Sequence, residues 1–448
     1  MRIVKFILFF LLILEADVYS KETINKSLAS AYLNNSRLNS EREKAKSVDE
    51  NLIQALSAFK PTITISGSKS DTQNTNVTTT SGVSSSSSNL QTSSKSIKVE
   101  QKVLNFNDMY TYQKQKNAVE VARYSLKKVE QEVLLEAADA FTGVLLSQKK
   151  LLISKDNLSL SEKQVEVDKG RLEKGLITIT DLAQSESSLA AAQSNFLNAE
   201  NELLINTINF KNVIGYDPKN LEEISNVNFS IPKSLQDTID LAQKNNATLK
   251  ISEFSLKKAQ EDYKSAVAEL GPSFKLSYGI TDYDDYSSSY DKTKQSVAKA
   301  EVSIPLYQGG KQNSVINEKK ANLEGAQLDL QSTKNLIDKE SYAVWSNYRL
   351  ALSNFELSKA RLKASEIAYE GIVQEYETGT RTTLDVITSR ASLLDSRLSN
   401  ANSEKERILS QYKLLLVTGS LTAKDLSLEA KIYDPDSYLG NSWIRHIF

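Results

Sequence analysis

The 448-residue chain contains no cysteine, and its single histidine, His446, stands almost at the end. Structural disulfides, thiolate zinc sites, thiol catalysis and a lipid anchor on an N-terminal cysteine are excluded. Histidine-based acid–base chemistry and multi-histidine metal sites are equally out of reach. Charge of either sign is not in excess: 55 Lys+Arg face 56 Asp+Glu, a formal net charge of -1, so nothing points to nucleic acid, which asks for a basic surplus. Breakers are scarce, with 6 prolines and 15 glycines, and scarce breakers predict long uninterrupted elements. Gly309-Gly310 lacks the Lys-Ser/Thr that a phosphate-binding loop places at the following helix start. No constellation for catalysis, cofactor or metal stands out, and the expectation is a protein that is not an enzyme.

What is present begins with an export signal. Arg2 and Lys5 supply a positive end, Phe6 to Leu14 is an unbroken apolar run, and Val18-Tyr19-Ser20 supplies a cleavage site. That run is too short to span a bilayer, which needs about 20 residues. The expectation is a signal peptide over 1–20 and an exported mature chain, which enters a membrane, if at all, as strands.

The mature chain is written twice. Gly175, Asp181 and Gly215 match Gly379, Asp385 and Gly419, each pair 204 residues apart. Upstream, Ala31, Asn34, Asn35, Leu38 and Pro61 match Ala242, Asn245, Asn246, Leu249 and Pro272 at a separation of 211. The difference locates an insertion in the first copy between Pro61 and Leu104, where Ser66 to Ser96 is rich in Ser, Thr and Asn and holds the run Ser84 to Ser88. Length changes in repeats fall in loops, so this stretch is expected to be a long hairpin loop, exposed outside the cell. The predicted organisation is a first repeat over 21–230, with a β-hairpin at 61–104 and a turn at 175. A second repeat follows over 231–426, with a β-hairpin at 272–307 and a turn at 379, and then a tail over 427–448. Each repeat opens with a helix, Asn35 to Ala58 and Thr238 to Leu270, which a proline stops.

In the second hairpin Phe274, Leu276, Tyr278 and Ile280 alternate with Ser273, Lys275, Ser277 and Gly279, and Ala298, Ala300, Val302 and Ile304 alternate with Lys299, Glu301 and Ser303. Period-2 patterning makes one face apolar and one polar. It fits a barrel wall with lipid on one side and water on the other, and equally an edge of a soluble sheet. The helical stretches carry sevens instead: Val144, Leu151, Leu158, Val165 and Leu172, then Leu182, Leu189, Phe196, Leu203 and Phe210, with counterparts such as Leu350 and Leu357 in the second copy. Sustained heptads mean coiled-coil packing, and a helix of about 65 residues runs about 100 Å. Two hairpins supply four strands, which cannot close a barrel, and open edges cannot face lipid. Other copies must complete the wall, and geometry alone allows two, three or four.

The sequence resembles the TolC family of outer-membrane efflux and type I secretion channels over nearly the whole mature chain. The residues that carry the likeness are Ile304-Pro305-Leu306-Tyr307-Gln308-Gly309-Gly310 and the two tip motifs, Gly175 to Asp181 and Tyr376 to Asp385. The resemblance implies an α+β membrane protein, a homotrimer with a 12-stranded β-barrel in outer-membrane lipid and a 12-helix periplasmic tunnel. It implies tips near Gly175 and Gly379 that meet a periplasmic adaptor, itself coupled to an inner-membrane transporter. It further implies a tunnel mouth held shut by Thr180 and Asp181 on one hairpin and Tyr376 and Arg381 on the other, with Asp385 lining the pore. Better-studied members carry a second carboxylate three residues on; Thr388 stands there in this chain. A plainer alternative makes Asp181 and Asp385 simple helix caps, and a secreted or surface coiled-coil structural protein or adhesin is the rival for the chain as a whole.

Overall fold

The computed structural model describes residues 21–78, 84–224, 229–287 and 290–440. The expected signal segment 1–20 and His446 lie outside them. The described elements, in chain order, are α1 (Ile24–Asn34), α2 (Ser36–Ser57), β1 (Thr62–Thr78), β2 (Ser84–Asn105), α3 (Phe106–Glu173), α4 (Ile179–Ile214), α5 (Leu235–Asn245), α6 (Ala247–Ala268), β3 (Ser273–Ser287), β4 (Tyr290–Ser303), α7 (Lys311–Glu377) and α8 (Thr383–Val417). The order repeats: two short helices, a hairpin, a helix of 68 or 67 residues, a tip and a helix of 36 or 35. Two compact units form. One takes in residues up to Glu43, Tyr124–Lys250 and Ser332–Pro435; the other takes in Lys44–Arg123, Ile251–Gln331 and the chain from Asp436.

The helix expected over Asn35 to Ala58 is α2, preceded by the separate α1, whereas the single rod expected over Thr238 to Leu270 is two helices, α5 and α6. The break falls at Asn35 and Asn246, the very asparagines that mark the repeat. Each adopts an extended backbone. The Asn35 side-chain oxygen accepts the amides of Arg37 and Leu38, and that of Asn246 accepts those of Thr248 and Leu249. An asparagine that satisfies the first free amides of a helix starts a new one. Their amide groups donate to the carbonyls of Val213 and Val417, so each break is also tied to the end of its own copy's return helix.

The first unit is centred on Leu28, Leu134, Phe141, Phe210, Ile214 and Tyr412, all essentially without solvent exposure. Phe210 stacks edge-on against Tyr216 at 5.7 Å and tilts against Phe141 at 6.4 Å, geometries that aromatic quadrupoles favour. A stripe of small polar residues at heptad spacing, Ser147, Ser154, Ser161 and Asp168, is buried along α3, and α4 answers with Ser185, Ala192 and Ala199. Side-chain bonds join the two helices along this stripe, from Asn206 to Ser147 at 2.6 Å and from Ser185 to Asp168.

The second unit holds a four-stranded antiparallel sheet in the order β1-β2-β3-β4. Register divides its faces. Ile65, Ile97, Ile280 and Ser296 form one row across it, Ile63, Val99, Tyr278 and Ala298 the next, and Leu104, Phe274 and Val302 a third. The alternate rows are Thr62, Glu100, Ser277 and Lys299, and Lys102, Lys275 and Glu301. On that polar face Glu100 pairs with Lys98 at 2.9 Å and with Lys275 at 3.6 Å, and Glu301 pairs with Lys299 at 2.7 Å. The apolar face is bare: Ile65 is 77% exposed and Val302 64%. Past Ile280 it turns charged with Asp282 and Asp284, paired across to Lys294 and Lys292. The apolar belt is therefore bounded along the strands.

The expected long loop at Ser66 to Ser96 is corrected. β1 pairs with β2 continuously from Thr62↔Glu100 to Thr78↔Ser84, so the insertion lengthens the strands and the Ser84 to Ser88 run has strand backbone. Hydroxyl pairs, Ser66 with Ser96 at 2.7 Å and Ser68 with Ser94 at 2.8 Å, supply the cross-strand contacts that apolar pairs supply elsewhere.

The asparagine breaks carry a prediction. Asn246→Ala removes both the cap and the bond to Val417 and should cost on the order of 1–2 kcal/mol. Asn246→Asp keeps the acceptor, loses the donor and should fall between, by thermal melting. Equal melting of all three proteins would contradict the capping role.

Candidate functional site at the helical tips

The two tips are built alike. α3 ends with Gly175 in the left-handed region at φ 68°, and α7 ends with Gly379 at φ 81°. In each, the glycine amide bonds a carbonyl three residues back (Leu172, Tyr376) and the next amide bonds one five back (Arg171, Glu375), the glycine-closed helix end that only a residue without Cβ adopts cheaply. Space is not the reason: a Cβ at either glycine would meet nothing within 4 Å. Three residues on, Thr178 and Thr382 cap α4 and α8, and Asp181 and Asp385 close the capping boxes, accepting the threonine amides at 2.8 and 2.9 Å. Those amide bonds, with the threonine hydroxyls, hold both carboxyls below their usual pKa of 3.8. Asp181 and Asp385 are thus helix caps within the chain, partly open to solvent.

The other residues expected at a mouth divide. Thr180 is exposed on the first turn of α4. Arg381 pairs with Glu375 of its own hairpin at 2.7 Å, and both side chains are about half exposed. Tyr376 does not reach Asp181. It is buried, and its hydroxyl donates to Asp168 of α3 at 2.6 Å; the Arg171 guanidinium lies 4.1 Å over its ring. Burial and the Asp168 carboxylate raise the tyrosine pKa. Of the five expected residues, Tyr376 alone bonds the other hairpin through its side chain among the described contacts.

Asp168 and Arg390 were not picked out from the sequence. Asp168 is fully buried and Arg390 is 4% exposed, its guanidinium donating to Ser188 at 2.9 Å. Burial lowers the Arg390 pKa, opposed by Tyr369 and then by Asp168. The signal was there in the heptads: Asp168 continues the Ser147, Ser154, Ser161 stripe, a position where a charge cannot be left unpaired.

An exposed apolar belt on a sheet with two open edges, long heptad helices and glycine-closed polar tips are the features of a membrane channel protein. The outer membrane efflux protein family matches residues 28–216 and 238–420, one block per repeat, and the chain belongs to that family. Outer membrane efflux protein BepC of Brucella suis is 25% identical over 431 residues, 95% of this chain and 91% of its own length. Outer membrane protein TolC of Escherichia coli is 23% identical over 353 residues, 75% and 71%. Among solved structures, the Campylobacter jejuni CmeC outer membrane channel superposes with a TM-score of 0.81 at 15% identity, over 93% of this chain and 88% of that one. The protein is an outer-membrane efflux channel, and its relatives are channels rather than enzymes.

The capping boxes make the tips acid-sensitive. Both aspartates have folded pKa values below the ordinary 3.8, so their stabilisation is complete above about pH 4 and is lost as pH falls through the lowered folded value. Amide exchange at Thr382 to Ile387, corrected for intrinsic rate, should quicken below about pH 4 before that at Leu409 to Leu415. Equal protection of both segments at low pH would contradict this.

Proposed function

We propose that three copies of this chain form one exit duct: a 12-stranded barrel in outer-membrane lipid, four strands from each, continued by a 12-helix periplasmic tunnel. The carrying observation is the sheet. Its belt of Ile63, Ile65, Tyr278, Leu276 and Val302 is bare in the single chain, and β1 and β4 are open edges. A belt suits lipid only if the edges pair, because unsatisfied backbone groups are strongly disfavoured there. Among the described residues no helix is long and apolar enough to cross a membrane, which leaves the strands to do so. A coiled-coil filament or adhesin accounts for the heptads but gives the belt no partner. The leader over 1–20, repeats over 21–230 and 231–426 and tail over 427–448 remain the proposed organisation, supported by the two family blocks.

In this reading the tips at Gly175 and Gly379 meet a periplasmic adaptor that couples the duct to an inner-membrane transporter, serving efflux of small molecules or protein secretion. Thr180, Asp181, Tyr376, Arg381 and Asp385 hold the mouth closed, with partners from the same or the neighbouring chain. Three Asp385 carboxylates around a narrow mouth repel one another, and a bound multivalent cation offsets that. Thr388 makes this one charged ring, not two.

Placing Arg at Leu276 or Val302 should cost about 2–4 kcal/mol near the membrane midplane, while Arg at Ser277 or Ser303 should be mild. Folding into lipid vesicles measures the difference, and equal tolerance of both faces would remove the barrel reading. For the mouth, Arg381→Ser with Tyr376→Phe should raise single-channel conductance in planar bilayers, and Asp385→Ala should weaken block by multivalent cations from the periplasmic side. Unchanged conductance and block, with trimers intact, would return Asp181 and Asp385 to a capping role alone.

A further inference from the structure

The two tip hairpins of one chain meet at a carboxylate that neither tip motif contains. Asp168 accepts hydrogen bonds from Gln164 at 3.0 Å, from the Ser185 hydroxyl, and from Tyr376 at 2.6 Å. Gln164 and Ser185 sit on the α3–α4 hairpin with Asp168; Tyr376 comes from α7. Its hydroxyl also lies 3.2 Å from Thr383 at the start of α8. Arg390 of α8 crosses in the same sense, bonding Ser188 of α4. Five groups of this node are largely withdrawn from water: Asp168 0%, Ser185 1%, Thr383 2%, Arg390 4% and Tyr376 5% exposed, with Gln164 and Ser188 partly buried. A buried carboxylate that loses a donor is strongly disfavoured, so this bond resists drawing the hairpins apart, whereas the exposed Arg381–Glu375 pair lies within one hairpin and does not.

The repeat shows that the node is not a general requirement of the packing. Positions 204 residues from Asp168, Tyr376 and Arg390 hold Ile372, Leu172 and Glu186. The positions that correspond to Asp168 and Tyr376 thus hold apolar residues, one in each copy. The polar version is a departure from the repeat, placed where two hairpins of one chain touch.

We propose that Asp168 is a latch: a positioning residue that holds the α7–α8 tip against the α3–α4 tip within each protomer, through Tyr376, and so sets how readily the mouth opens. This rests on the gate reading of the tips. It assigns the restraint on Tyr376 to α3 of its own chain, not to the first turn of α4.

The test uses the full-length assembly in planar bilayers, comparing the native chain with Asp168→Asn, Asp168→Ala, Tyr376→Phe, Asp168→Ala/Tyr376→Phe and Arg381→Ser, with trimer content and melting temperature measured alongside. Asp168→Ala should raise the ratio of open to closed occupancy on the order of tenfold, the effect of losing one hydrogen bond to a charged group. Asp168→Asn should do so less, because its amide oxygen still accepts from Tyr376, and it keeps the test alive should the alanine variant not assemble. The double variant should be no more open than Asp168→Ala, since both act through one bond. Asp168 variants that melt earlier yet gate like the native chain would reduce the residue to a structural role and overturn the latch. If Arg381→Ser opens the pore while no Asp168 variant does, the latch falls and the gate reading stands. If neither alters gating, both fall.

Discussion

An unpaired strand edge beside an apolar surface is the constraint from which the rest follows. The sheet pairs three of its ladders internally and leaves β1 and β4 open. It also presents rows of Ile, Val, Leu and Tyr on one side and Lys–Glu pairs on the other. Water would penalise the first face and lipid would penalise the edges. In the proposed duct both penalties vanish together, because further copies supply the missing ladders and close the wall.

The helical part answers a different demand. Heptad seams with small buried residues, Ser147, Ser154, Ser161 against Ala192 and Ala199, favour close, regular helix packing over a bulky globular core. Such packing leaves little room for a charge. Where one appears, at Asp168, the surroundings have been rebuilt around it with Tyr376, Ser185 and Gln164. In the proposed gate the polar bonds lie at the glycine-closed tips, and exposed pairs that each contribute little would leave the closed mouth only modestly favoured, so that the proposed adaptor could open it.

Much of this was legible in the chain itself. The 204-residue offset between Gly175 and Gly379 reflects a backbone need, positive φ at both, and a need of that kind survives in sequence. Alternation in Phe274 to Ile280 and heptads in α3 reported their elements for the same reason: the period is the geometry. Two things were hidden. The Ser84 to Ser88 region carries no apolar alternation although its backbone is strand, so composition resembled a loop. The break at Asn246 was visible as a residue matched to Asn35, but an asparagine cap inside a helical pattern looks like an ordinary polar position until its partners are known. At the tips, the caps were foreseen as the plainer role of Asp181 and Asp385. The partner of Tyr376 was not, since Asp168 lies 208 residues away and belongs to a motif of buried small residues, not of charges.

The absence of cysteine from the chain permits a direct test of the edge-to-edge assembly. One cysteine placed at Thr64 on β1 and a second moved along β4 from Tyr290 to Ser303 will form a disulfide only where their Cα atoms come within about 7 Å. β1 and β4 are not neighbours in the sheet of one chain, so any such bond must join two copies. The account predicts that one register, and its immediate neighbours, will convert detergent-extracted outer-membrane protein to a covalently closed trimer on a non-reducing gel. Absence of crosslinks at every register, or ladders that stop at dimers or run on past three, would contradict a barrel closed by three copies.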